Sequence, residues 1–127
     1  MKKIIETASA PAPVGPYNQA IQVDQTLYIS GQIAINPSTG KLILDDIEKE
    51  THQVMKNVRE ILRKAGSDFE HVIKCSVFVK DMNLYSRINA VYGTYFDEAT
   101  APARELVEVA NLPKFVNIEI STIAYIP

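Results

Sequence analysis

The stretch IEKETHQVMKNVREILRKAGSDFEHVIKCSVFV, residues 47–79, decides the fold. In its first half Ile47, Val54, Met55, Val58, Ile61, Leu62 and Ala65 recur at the spacing of one helix face, behind Asp45-Asp46 and ahead of Gly66. The opposite face of that helix is charged and is expected to lie in water. From Val72 to Val79 the period falls to two, with Ile73, Cys75, Val77 and Val79 on one side and Lys74, Ser76 and Phe78 on the other. That is a strand with one core face.

Downstream, Leu84, Ile88, Val91, Tyr92, Tyr95 and Phe96 form the apolar stripe of a second helix. Two strands follow, Ala103–Ala110 and Phe115–Tyr125, divided by Asn111-Leu112-Pro113, whose proline cannot donate to a ladder. Val116, Ile118 and Ile120 are expected on the core face of the last strand, and Asn117, Glu119 and Ser121 on its other face. The same alternation turns Val107 and Val109 to the core and leaves Arg104, Leu106 and Glu108 opposite. Upstream, Tyr17–Val23 and Thr26–Ala34 predict two strands joined at Asp24-Gln25, closed by the turn chemistry of Asn36-Pro37-Ser38-Thr39-Gly40. The Ala- and Pro-rich first dozen residues are expected to be an extended arm. The predicted class is α+β, one domain over residues 1–127, with both helices on one side of a sheet. The other sheet face has no cover from its own chain. Its mixture of Phe78 and Leu106 with Arg104, Glu108 and Glu119 suits a subunit interface holding a polar cleft.

A chain of 127 residues buries one core. Thirteen basic residues against 15 acidic ones leave 13 − 15 = −2, without a basic stripe, so nucleic acid is not the expected partner. No apolar stretch is long enough for a membrane span, and Met1-Lys2-Lys3-Ile4-Ile5-Glu6 is no secretion signal. The lone Cys75 forms no internal disulfide, and the expected address is the cytosol.

Arg104 and Glu119 fall on strands predicted to be adjacent and on the same face. A structural ion pair and a ligand site are both open to them: Arg grips a carboxylate through two parallel hydrogen bonds, and Glu orients or deprotonates water. Tyr17 and Ser30 lie beside Gly15 and Gly31, where backbone can approach a ligand, or are ordinary turn and strand residues. Asn89, near the apolar stripe of the second helix, needs partners for its amide. Cys75 is expected to be a packing residue whose thiol stays protonated. His52 and His71 have neither ligand spacing nor a carboxylate partner, so no metal is expected.

Taken together, Val14-Gly15-Pro16-Tyr17, Ser30-Gly31-Gln32, Phe78-Val79-Lys80-Asp81-Met82-Asn83, Pro102-Ala103-Arg104, Val107 to Lys114 and Asn117-Ile118-Glu119-Ile120 resemble the RidA, or YjgF, family of reactive intermediate deaminases. The resemblance runs through nearly the whole chain in order. It implies a chorismate-mutase-like fold, a homotrimeric barrel with the helices outside, and active sites in clefts between subunits. It also implies cofactor-free hydrolysis of enamine and imine acids, such as 2-aminoacrylate and 2-iminobutyrate, to 2-keto acids and ammonia. Carried over by position, Arg104 binds the substrate carboxylate, Glu119 positions the water, and Tyr17, Ser30, Gly31 and Asn89 line the cleft. Three positions depart from the family pattern. Leu106 stands where many relatives have a cysteine, Glu105 replaces a small polar residue, and the segment from Asp97 to Ala101 is shorter. Two other readings accompany the enzyme: a non-catalytic module that binds small carboxylates such as 2-keto acids, and a ribonuclease or translation inhibitor.

Overall fold

The computed structural model describes every residue from Met1 to Pro127. Six strands form a single sheet: β1 (Lys2–Ile5), β2 (Ala20–Val23), β3 (Thr26–Gln32), β4 (Val72–Val79), β5 (Ala103–Glu108) and β6 (Ile118–Tyr125). Their spatial order is β1-β2-β3-β6-β4-β5, antiparallel throughout except for the parallel pair β4–β5. Both helices, α1 (Ile47–Lys64) and α2 (Tyr85–Tyr92), lie on one face of it. The α+β architecture expected from the sequence is therefore the one observed.

Each boundary of α1 has a physical cause. The Asp46 carboxylate accepts the Lys49 amide at 2.7 Å, satisfying a donor that the first turn leaves free. At the other end Gly66 takes φ +84°, and the Gly66 and Ser67 amides close back on the Arg63 and Leu62 carbonyls. The stripe of α1 meets Leu27 and Ile29 of β3, Cys75, Val77 and Val79 of β4, and Ile118 and Ile120 of β6 in one core. Ile88 and Tyr92 of α2 complete it, with Leu84, Tyr95 and Phe96 packed around them. A bidentate bridge from Arg87 to Glu48 joins the two helices at the surface, and holds the Glu48 carboxyl down at about 2.

Four expectations need correction. Within the supposed arm, Lys2–Ile5 is an edge strand on β2, too short and too polar at its start to declare itself. Ile73 is 47% exposed, because the register between β4 and β6 shifts between Val72 and Lys74 and turns it out of the core. The last strand starts at Ile118 rather than Phe115, since Lys114 and Phe115 both take positive φ and make a corner. The fourth concerns β5. It pairs with β4, not β6, and the register sets Arg104 beside Cys75, Leu106 beside Val77 and Val107 beside Phe78. Arg104, Leu106 and Glu108 thus stand on the helix side, and Val107, 43% exposed, on the open side. The adjacent apolar pair Leu106-Val107 is ambiguous by alternation alone, and an edge strand leaves one of the two in water.

Candidate active site

Glu119 occupies the open face of β6, opposite Phe78 of β4. Its partner across β3 is a bulge, the register shift between Ile29 and Gln32 that contains Ser30 and Gly31. Gly31 leaves room for that side chain: a Cβ placed there would come within 2.7 Å of the Glu119 carboxyl carbon and displace it. Ser30 is tied down on both sides, its amide donating to the Gln19 carbonyl at 2.9 Å and its hydroxyl to the Asn18 carbonyl at 2.6 Å. Tyr17 closes a tight turn with Gly15, and its phenolic oxygen accepts the Val14 amide at 3.3 Å, which leaves its own proton to offer. Tyr17, Ser30, Gly31 and Glu119 line one hollow of about 350 Å³, walled by Val14, Ile33 and Pro113. None of the ion pairs in the chain involves Glu119. Burial alone pushes its carboxyl above the ordinary glutamate value of 4.5. A half-buried carboxylate facing a hollow, with no cation to hold it, is equipped to take a proton from water.

Arg104 is elsewhere. Its guanidinium donates to the Asn89 side-chain oxygen at 2.7 Å and to the Tyr85 hydroxyl at 3.3 Å, and lies over the Tyr92 ring at 4.9 Å. With Asn89, Tyr92, Phe96 and Glu98 it borders a second cavity, of about 470 Å³, beside α2 at the β5 edge of the sheet. The Asn89–Arg104 pairing supplies the partner that the asparagine amide needed. Six expected residues are consequently gathered as two groups, Tyr17, Ser30 and Glu119 with Gly31 between them, and Asn89 with Arg104. The expectation that Arg104 and Glu119 share a sheet face within one chain is overturned by the β4 register, which puts Arg104 beside core-facing Cys75 and Glu119 beside open-facing Phe78.

The surroundings of both groups follow from packing. Cys75, buried beneath Arg104, is held in its thiol form by desolvation, with the Thr122 hydroxyl 3.9 Å away. Burial likewise raises the Tyr92 phenol. The Asn89 side chain is the main influence lowering the Tyr85 phenol, and the Arg104 charge adds to it. Glu105 turns to the open face and binds Ser76 and Lys74, away from Arg104 as alternation requires. His52 is bonded to the Tyr95 hydroxyl at 2.8 Å, and the His71 ring packs edge-on against Tyr125. No group of three or more His, Cys, Asp or Glu side chains gathers as for a metal.

Sequence reasoning missed two sets of residues. Tyr85 and Tyr92 embrace Arg104, although the sequence marked Tyr92 only as part of a core stripe and did not single out Tyr85. Glu50 is fully buried and accepts both the backbone amide and the side-chain amide of Asn117 at 2.8 Å. Its signal was present: Glu50 stands three residues after Ile47 and four before Val54, on the apolar stripe of α1.

Comparison with known proteins shows the family and the fold. A family model described as endoribonuclease L-PSP matches residues 7–126. A RutC family protein of Synechocystis is 52% identical, the alignment covering 98% of this chain and 97% of the relative. The mouse 2-iminobutanoate/2-iminopropanoate deaminase is 46% identical, over 98% of this chain and 91% of its own. Among solved structures, a Rid-family protein of unknown function from Yersinia pestis superposes with a TM-score of 0.96 at 45% identity, covering 99% of this chain and 100% of that one. No helix is long and apolar enough to cross a membrane.

Proposed function

Because the chain belongs to the endoribonuclease L-PSP family, the family of the RutC and RidA (YjgF-type) proteins, we propose that it is an imine deaminase whose site is completed by a second copy of the chain. The observation that carries the proposal is the Glu119 carboxylate, half-buried against Gly31, unpaired, and facing a hollow rimmed by Tyr17 and Ser30. Arg104 stands at the opposite end of the chemistry, on the sheet edge, with fork positions left over after Asn89 and Tyr85. An edge carrying Arg104 that docks over the open face of a neighbour brings the two groups to one small molecule. The name of the mouse relative supports the substrate class, a short 2-imino acid.

The reaction follows from these parts. Arg104 of one copy holds the substrate carboxylate, and the enamine tautomerises to the imine. Water on Glu119 of the other copy attacks the imine carbon while the carboxylate takes its proton. That proton passes to the nitrogen, giving the carbinolamine; the carboxylate then moves the adduct's hydroxyl proton to the same nitrogen, and as the oxygen's electrons form the new C=O bond the carbon–nitrogen bond breaks, so ammonia and a 2-keto acid leave. Positioned acid–base help is worth about 10²- to 10⁴-fold, enough for a substrate already labile in water. The endoribonuclease of the family description has less support here, since His52 and His71 are engaged by Tyr95 and Tyr125 rather than facing the hollow. A binder of small carboxylates would use the same groups but release no ammonia above the spontaneous rate.

The test is ammonia release from imine freshly made by a pyridoxal-phosphate dehydratase, for the wild type, Arg104→Ala, Glu119→Gln and a refolded equimolar mixture of the two variants. Each single variant is expected to lose activity, Arg104→Ala by roughly 30- to 5,000-fold if the lost pairing is worth about 2–5 kcal/mol. In the mixture one subunit supplies the arginine and its neighbour the glutamate at about one site in four, so about a quarter of wild-type activity should return. A mixture no more active than its components would sink the shared site; a wild type that releases no ammonia would sink the deaminase.

A further inference from the structure

We propose that Glu50 is a positioning residue for Glu119: from inside the helix layer its carboxylate clamps Asn117 and so fixes where the strand that presents Glu119 begins. The inference rests on the reading of Glu119 as the water-holding acid.

Three observations carry it. First, the chain reaches β6 through an irregular corner, with buried Val116 alone between that corner and Asn117. Lys114 and Phe115 both take positive φ, at 55° and 58°, and Phe115 is 75% exposed. Second, Asn117 is gripped from two layers at once. Glu50 Oε2 accepts its backbone amide and Oε1 its side-chain amide, each at 2.8 Å, while its carbonyl accepts the Lys80 amide at 3.0 Å from the end of β4. With Asn117 fixed, β6 begins at Ile118 and presents the following residue, Glu119, on the open face with its carboxyl against the bare Cα of Gly31. Third, the chemistry of Glu50 is hard to explain otherwise. A carboxylate with no exposed surface carries a heavy desolvation cost, and none of the ion pairs of the chain reaches it. Both of its partners are N–H donors, so an acceptor on each oxygen is what the place demands; a glutamine there would turn one donor against another.

The decisive variants are Glu50→Gln, the polarity swap Glu50→Gln/Asn117→Asp, and Asn117→Ala, which removes only the side-chain half of the clamp and leaves the core carboxylate bonded to the backbone. In the swap the new amide donates to the new carboxylate and its oxygen still accepts the backbone amide. Turnover per folded protein, KM for the imine, and NMR titration of the Glu119 carboxyl are measured on each. Glu50→Gln is expected to lower kcat about ten- to a hundredfold, as for a misplacement of about 1 Å, with KM within about twofold. The titration of Glu119 should fall toward the ordinary glutamate value as the side chain leaves Gly31 for water. The swap should restore both, and Asn117→Ala should move both in the same sense by less. Should Glu50→Gln fail to fold, Asn117→Ala and the swap decide alone. Variants that lose thermal stability while kcat and the Glu119 titration stay at wild-type values would overturn the inference and leave Glu50 a packing group. If the wild type releases no ammonia, the deaminase reading falls by itself, and the clamp still stands or falls on the titration.

Discussion

At the scale of the residue, Glu119 couples function to stability with opposite signs. Burial raises its carboxyl in the folded protein, so the fold binds this proton more tightly than the unfolded chain does. As pH rises from the unfolded value to the folded one, folding loses stability, and above both values the deficit is complete. Below the unfolded value there is none. Activity runs the other way, because only the ionised form takes a proton from water. The acid limb of kcat/KM is therefore expected above 4.5, the ordinary value for a glutamate. Glu119→Gln should unfold at higher denaturant than the wild type at pH 7, while at about pH 3.5 the two should agree. Chemical unfolding at both pH values, at fixed protein concentration, reads this directly, and a variant less stable than wild type at neutral pH would contradict it.

Elements act by setting what a side chain meets. The bulge in β3 brings Gly31 under Glu119 without a left-handed backbone, so Gly31→Ala is not strained in itself; the methyl simply takes the place of the carboxylate. Its expected effect is a fall in kcat of about tenfold or more with a near-normal melting temperature. The cap of α1 behaves oppositely. Asp46→Ala should cost about 1 kcal/mol of stability and leave turnover per folded molecule intact, as measured by denaturant midpoint and initial rate. Legibility divided along the same line. Helix α1, strand β4 and the core face of β6 were plain in the sequence, because each repeats one period over at least two turns or four pleats. Strand β1 has four residues and β5 is a parallel edge, where alternation gives two answers and only pairing chooses. Every expected site residue proved to border a cavity, yet which ones share a face depended on the order β6-β4-β5, a long-range fact that no local pattern encodes. Glu50 escaped for a related reason: a charge on an apolar stripe is interpretable once its partner, 67 residues away, is in place.

For the molecule as a whole, the open face of the sheet is the surface on which the proposed second copy would dock. Ile4, Ile21, Tyr28 and Ile123 stand side by side on β1, β2, β3 and β6, an apolar row crossing four strands with no helix over it. Rows of this kind are covered in stable proteins. Ile123→Lys is expected to give a smaller species by light scattering and, with Arg104 and Glu119 untouched, to lose most of its activity. An active, fully assembled Ile123→Lys protein would remove this face from the interface. The placement of Cys75 offers an independent gauge of how firmly the molecule is closed. Its sulfur is the only thiol in the chain and lies in the central layer of the core, 1% exposed. An alkylating reagent reaches it solely through openings that part the helices from the sheet. The rate of modification in plain buffer thus serves as a built-in clock for such excursions: uniform slow labelling means that the layers separate together, and a fast fraction would reveal a population already ajar.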